Sequence, residues 1–188
     1  MKLLNLSIAT IVASGMLFAS SYTVDSHHTS VGFKVKHMMI SNVKGSFDKF
    51  SGNFEYDEKT QKIKSLVGTI EASSINTANV KRDKHLRSAD FFDVNVYPDI
   101  KFVLDRVDDD DAYGKLTIRG ITKPVKLEFE NTANIKDPWG NTRMGISLSG
   151  KIDRKDFGLV YNSVLETGGV LIGDTVKFEV EIEGILQK

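Results

Sequence analysis

Val176-Lys177-Phe178-Glu179-Val180-Glu181-Ile182-Glu183 alternates apolar and charged residues without a break. Successive side chains of a strand point to opposite faces, so Val176, Phe178, Val180 and Ile182 share one face and the charges share the other. A strand with one wet face belongs to an antiparallel sheet, because the strands of a parallel α/β sheet are buried on both sides. The same alternation recurs upstream. Val31, Phe33, Val35 and His37 oppose Ser30, Gly32, Lys34 and Lys36, and Gly52, Phe54 and Tyr56 oppose Asn53 and Glu55. Leu66, Gly68 and Ile70 oppose Val67, Thr69 and Glu71, while Ile100, Phe102 and Leu104 oppose Lys101, Val103 and Asp105. Leu116 and Ile118, then Val125, Leu127 and Phe129, then Ile146, Leu148 and Ile152 continue the pattern. Turn-forming clusters at 57–59, 108–114, 120–124 and 137–141 separate the runs. Eight such strands in an open sheet would leave two bare edges unless the sheet closes into a barrel or splits into a sandwich. The expected fold class is all-β and antiparallel, with an eight-stranded β-barrel or a sandwich as its two forms.

One segment lacks alternation. Ser74 to Asp90 reads as a short helix, with Asn76, Thr77 or Asn79 as its N-cap and Asp83–Arg87 as an i,i+4 pair. Residues 1–19 also stand apart. Lys2 precedes an apolar stretch that ends in small residues near Ala19 and Ser20, the pattern of a secretory signal peptide cleaved there. The rival, an uncleaved anchor, has no basic stop-transfer flank. The expectation is a signal peptide over 1–19, a single domain over 20–188, and a periplasmic, soluble rather than membrane-embedded product.

Composition removes several function classes. The chain has no cysteine, which excludes thiol catalysis, cysteine-ligated zinc and disulfide staples. Its 25 basic and 25 acidic residues balance, with no basic strip evident in sequence for a phosphate backbone, so nucleic acid is not an expected partner. The four histidines, His27, His28, His37 and His85, show no zinc spacing. No nucleophile elbow, Walker loop or dinucleotide fingerprint occurs, so no metal, cofactor or catalytic residue is expected. The acidic run Asp108–Asp111 reads as a solvated turn.

An eight-stranded barrel is either filled by side chains or open to one small ligand. Gly52, Gly68 and Gly150 share the inward register, where glycine either relieves curvature or keeps the lumen open; alternation alone leaves both readings standing. His37, at a strand end, is either a hydrogen-bonded rim residue or a donor to a ligand head group. Arg82, Asp83 and His85 are either structural ion pairs or head-group contacts. Met38-Met39-Ile40 reads as an apolar rim or dimer contact, or as part of a lipid portal. Trp139 falls in a proline–glycine turn and is expected at the surface.

Several stretches together resemble the YceI family of periplasmic, polyisoprenoid-binding proteins. They include Val31-Gly32-Phe33-Lys34-Val35-Lys36-His37 and Thr69-Ile70-Glu71-Ala72-Ser73-Ser74-Ile75-Asn76-Thr77. The most specific is Arg82-Asp83-Lys84-His85-Leu86-Arg87-Ser88-Ala89-Asp90-Phe91-Phe92-Asp93-Val94, followed by Tyr97-Pro98-Asp99-Ile100-Lys101-Phe102 and Asp156-Phe157-Gly158. The resemblance implies a lipocalin-like eight-stranded antiparallel barrel with a helix against its opening, a long apolar pore, a frequent homodimer and no established enzymatic activity. It implies a pore lined by Phe33, Val35, Phe54, Ile70, Phe102, Leu116, Phe129 and Phe178. Phe47 would lie with Phe50, Phe91 and Phe92 near the mouth or beneath the helix, and His37, Arg82, Asp83 and His85 near a head group. The leading expectation is a carrier for a long-chain isoprenoid or fatty lipid. Its rivals are an enzyme acting on a bound lipid and an interaction module with a filled core.

Overall fold

The computed structural model describes residues 19–166 and 168–188; the expected signal peptide, up to residue 18, lies outside them. The strands are β1 (Ala19–Val24), β2 (Ser30–His37), β3 (Ser41–Phe47), β4 (Phe50–Asp57), β5 (Lys62–Glu71) and β6 (Ile75–Asn76). After helix α1 (Val80–Leu86) come β7 (Asp99–Asp108), β8 (Asp111–Ile118), β9 (Ile121–Asn131), β10 (Ile135–Lys136), β11 (Thr142–Asp153) and β12 (Ile172–Leu186). All pairings are antiparallel, and the ring β11-β9-β8-β7-β5-β4-β1-β12 closes through β11–β12, from Arg143↔Ile185 to Asp153↔Thr175. This is the expected closed eight-stranded barrel.

Its membership differs from the alternation count by one strand. The 15-residue β12 shares one edge between two partners: Gly184–Leu186 pair with β1, and Ile172–Glu181 pair with β2. One half of the wall is therefore β12-β1-β4. In the other half β2 and β3 continue it as a hairpin flap, which β6 extends. The sequence pattern counted β2 among the eight and passed over β1, whose Ala19-Ser20-Ser21 start is small and polar.

The interior has two parts. At one end Tyr22, Phe54, Leu66, Leu104, Met144 and Ile146 form a buried cluster. Tyr22 and Phe54 stack face to face, with ring centroids 4.9 Å apart. Towards the other end Phe47, Ile75, Phe91, Ile100, Phe157 and Leu159 pack beneath the helix and the 154–161 segment. Asn79 caps α1 by accepting from the Arg82 amide at 3.0 Å. The expected Asp83–Arg87 pair does not form. Arg87 instead donates to the carbonyls of Ser73 and Ile75, at 2.5 and 2.6 Å, which ties the helix to the preceding strand.

An ionic brace sits at the closed end. The Arg143 guanidinium reaches Asp137 at 2.7 Å, Asp25 at 2.8 Å and Glu183 at 2.5 Å. Asp25 also receives His28 Nδ1 at 2.8 Å. Hydrogen bonds from His28, Arg143 and the His27 amide hold the Asp25 carboxyl well below the usual carboxylate range. Burial pushes Asp137 up, but bonds from Arg143, Asn141 and the Trp139 amide outweigh it and hold that carboxyl low as well. Among the described residues no helix is long and apolar enough to cross a membrane.

Candidate functional site

The half of the barrel away from the closed end encloses a cavity of about 530 Å³, within the range of small-molecule sites. Side chains from β12 line it from Ile172 to Ile182, roughly 33 Å of strand at ~3.3 Å per residue. Leu66, Leu127 and Leu148, all buried, form its floor against the closed-end cluster.

The wall is built by the inward register. Phe33 and Val35 on β2 face Phe178 and Val176 on β12 across the register pairs Phe33↔Phe178 and Val35↔Val176. Ile70 on β5 and Phe102 and Leu116 on β7 and β8 supply the opposite wall, and Phe47 closes the side nearest the helix. Phe33, Val35, Ile70, Phe102, Leu116 and Phe178 are only partly buried although all face inward, because their inner sides border open space. Gly68 belongs to the same wall: a Cβ added there would meet nothing within 4 Å. Gly52 and Gly150 serve the other role of inward glycine. A Cβ on Gly52 would fall 2.6 Å from the Val67 carbonyl, and one on Gly150 would fall 2.8 Å from Leu127.

Three expected lining residues lie elsewhere. Phe54 is fully buried under the Tyr22 ring, and Phe129 packs in the same closed-end cluster. Alternation fixes which face a residue takes but not its height along the tilted barrel. Asp83 is buried and turns back from the cavity to accept bonds from the Thr77 amide, at 3.0 Å, and the Thr77 hydroxyl. It fastens the helix start instead of meeting a head group.

The mouth brings together His37, at the end of β2, with Arg82 and His85 from α1. Arg82 is held by Nε donating to Thr77 Oγ1 and Nη2 donating to the Thr77 carbonyl, both at 2.8 Å. His85 is set edge-on against Phe91 and Tyr161, with centroids 5.0 and 4.8 Å away, and its Nε2 is 2.9 Å from Asp90. The sequence reading missed Lys36, Lys81 and Arg154. With them, the basic side chains of the lining are Lys36, His37, Lys81, Arg82, His85 and Arg154, and no carboxylate joins them among the described residues. Arg154 is 3% exposed, and burial pulls its pKa down. Its guanidinium donates to the carbonyls of Leu159, Tyr161 and Gly173, pinning the segment that closes one side of the cavity. In sequence, Arg154 sits among Asp153, Lys155 and Asp156 and looks like surface charge.

A family model described as the YceI-like domain matches residues 22–184. UPF0312 protein SAS2572 of Staphylococcus aureus is 40% identical over 165 residues, 87% of this chain and 96% of its own length. The Campylobacter jejuni YCEI protein crystal structure has a TM-score of 0.68 at 36% identity, covering 87% of this chain and 96% of that one. Two more distant structures share the fold. Burkholderia cenocepacia BcnA has a TM-score of 0.73 at 22% identity, covering 85% and 98% of the two chains. A polyisoprenoid binding domain from Saccharophagus degradans has a TM-score of 0.65 at 15% identity, covering 88% and 98%.

Proposed function

The chain belongs to the YceI-like domain family, and on that premise we propose that it is a non-enzymatic carrier holding one long apolar chain in its barrel. The chain is that of a polyisoprenoid, an isoprenoid quinone or a fatty amide, with its polar head at the mouth. The carrying observation is the change along the cavity: a partly exposed apolar wall from Phe178 and Phe102 upward, ending in a rim lined by Lys81 and Arg82 and, among the described residues, by no carboxylate. Each buried methylene contributes about 0.8 kcal/mol before ordering costs, so a long chain binds without many polar contacts. The rim of His37, Lys81 and Arg82 then selects an electron-rich head such as a carbonyl, carboxylate or phosphate. His85, the rim histidine beside a carboxylate, is wedged between two aromatic rings and acts as wall. The protein acts after export to the periplasm through residues 1–19, as a soluble homodimer.

Organic extraction of the purified, exported protein followed by mass spectrometry tests this reading, with denatured protein as the blank. The expected result is one lipid per chain. Phe102→Asp places a charge in the apolar wall and is expected to empty it while the barrel remains folded by circular dichroism. Wild-type protein that arrives empty and refuses prenyl chains and fatty amides in titration would overturn the proposal.

A further inference from the structure

Four lysines that lie far apart in sequence form one lateral row on the outer face. The register pairs Lys151 on β11 with Lys177 on β12, Lys177 with Lys34 on β2, and Lys34 with Lys44 on β3. All four are exposed, and none makes a salt bridge among the described residues. Neighbouring strands are ~4.8 Å apart, so the row spans about 14 Å. Like charges directly opposite one another across strands disfavour pairing, and an anionic surface would relieve them.

The row sits behind an apolar tip. Four residues beyond Lys34 the β2–β3 turn carries Met38, Met39 and Ile40, with Met39 62% and Ile40 81% exposed. Met38 and Met39 both adopt left-handed backbone, with φ of 50° and 64°. A tight hairpin turn of this kind ordinarily takes asparagine and glycine, whose backbone tolerates it. Here the turn is built from two flexible apolar side chains pointing into water. The Met38 amide donates to the Leu171 carbonyl at 2.8 Å, which fixes the tip beside the cavity mouth. Val80 at the start of α1, 86% exposed, adds a further apolar point at the same end, next to Lys81 and Arg82 of the rim.

The β2–β3 hairpin is basic although the chain as a whole is neutral. From Ser30 to Phe47 there are three lysines, a histidine and no acid. At the closed end the β7–β8 turn carries Asp108, Asp109, Asp110 and Asp111, and Glu128 faces Asp111 across the register. The hairpin beside the mouth is thus basic and apolar-tipped, and the β7–β8 turn at the far end is acidic.

We propose that the mouth end docks on an anionic lipid bilayer, with Met38, Met39 and Ile40 entering the interface and the row Lys151–Lys177–Lys34–Lys44 resting on the head groups. Basic side chains hold a protein to an anionic leaflet, and apolar residues beside them anchor it in the head-group region. The acidic end points away. This placement rests on the carrier reading: it sets the cavity mouth against the surface from which a lipid is drawn or to which it is returned. A bilayer fits better than an acidic protein because the cations flank protruding apolar side chains and not a flat complementary face.

Trp139, the sole tryptophan, stands 79% exposed in the β10–β11 turn at the closed end and reports on the far side. The experiment uses vesicles of equal phosphatidylglycerol and phosphatidylcholine, against phosphatidylcholine alone, with the purified exported protein. Sedimentation is expected to show at least ten-fold stronger partition onto the anionic vesicles, lost in Lys34→Glu/Lys44→Glu. Trp139 emission stays unshifted on binding, whereas Ile40→Trp in a Trp139→Phe background moves to the blue. Equal partition onto both vesicles, or a blue shift at Trp139 without one at Ile40→Trp, overturns the proposal. So does binding to a soluble acidic protein with none to vesicles. Extraction of the same samples separates the two readings. A lipid-filled Lys34→Glu/Lys44→Glu protein that no longer sediments supports docking as distinct from loading. An empty wild-type protein that still sediments on anionic vesicles overturns the carrier reading and leaves docking supported.

Discussion

Phe54 and Phe102 both face inward, yet Phe54 is fully buried while Phe102 is only partly so. Phe54 lies at the closed end, stacked on Tyr22 and surrounded by Leu66, Met144 and Ile146, so its ring has atoms on every side. Phe102 lines the cavity, and one side of its ring borders open space. Dispersion falls off steeply across a gap, so the second ring contributes less to folding although its chemistry and register are the same. One end of the barrel carries stability and the other carries the cavity. A ligand in the cavity restores part of the missing contact, which couples occupancy to stability through mass action.

The sharpest way to break this comparison is to truncate one ring at each end. Phe54→Ala is expected to cost about 3–5 kcal/mol, the range for a buried phenylalanine that leaves a cavity. Phe102→Ala in lipid-free protein is expected to cost roughly 1–2 kcal/mol, because its site is already half empty. Urea unfolding of both variants after delipidation measures the difference. Equal losses would mean that the cavity collapses in the free protein and that the two ends are packed alike.

Next in size is the Arg143 brace, which belongs to the closed end alone. Asp25 and Asp137 have folded-state pKa values held below their unfolded ones. Their contribution is therefore full above the unfolded carboxylate value of about 3.9 and is lost as pH falls through it towards the folded value. Arg143→Met removes the cation that Asp25, Asp137 and Glu183 share. The stability gap between wild type and variant is expected to be widest above about pH 5 and to narrow steadily as pH falls below about 4. Thermal unfolding across that range reads it out, and a gap independent of pH would show that the arginine acts through packing.

The same division sets what could be read from the sequence. Alternation separated inside from outside, and with it Phe33, Val35, Ile70, Phe102, Leu116 and Phe178 reached the cavity wall. Height along the barrel depends on strand tilt and stagger, which no single strand encodes, so Phe54 and Phe129 were read as wall when they are core. β1 was missed because Ala19-Ser20-Ser21 resembles a processing site and offers little alternation before Tyr22. Spacing also misled at the helix. Asp83 and Arg87 stand four apart, but Thr77 and the carbonyls of Ser73 and Ile75 satisfy them separately. The lysine row was invisible for a plainer reason: Lys34 and Lys151 become near neighbours only through the register of β11, β12 and β2.

The smallest effect on stability comes from Gly68, which faces Gly52 across β4 and β5. Gly52 and Gly68 are register partners, yet they meet different surroundings. A Cβ on Gly52 would fall 2.6 Å from the Val67 carbonyl and 3.2 Å from Val24, so Gly52→Leu forces backbone apart and is expected to cost about 1–3 kcal/mol. A Cβ on Gly68 enters open space. Leucine there also removes the entropic penalty of glycine in a strand, so Gly68→Leu is expected to leave lipid-free protein unchanged or more stable by about 0.5–1 kcal/mol. The same side chain occupies part of the lumen, so extracted lipid should fall in amount or shift to a shorter chain. Unfolding and extraction together test the point: a stable, lipid-depleted Gly68→Leu protein places the vacancy at Gly68. If Gly68→Leu instead destabilised the protein as much as Gly52→Leu, the two glycines would share one role in close packing, and the wall at Gly68 would be closed.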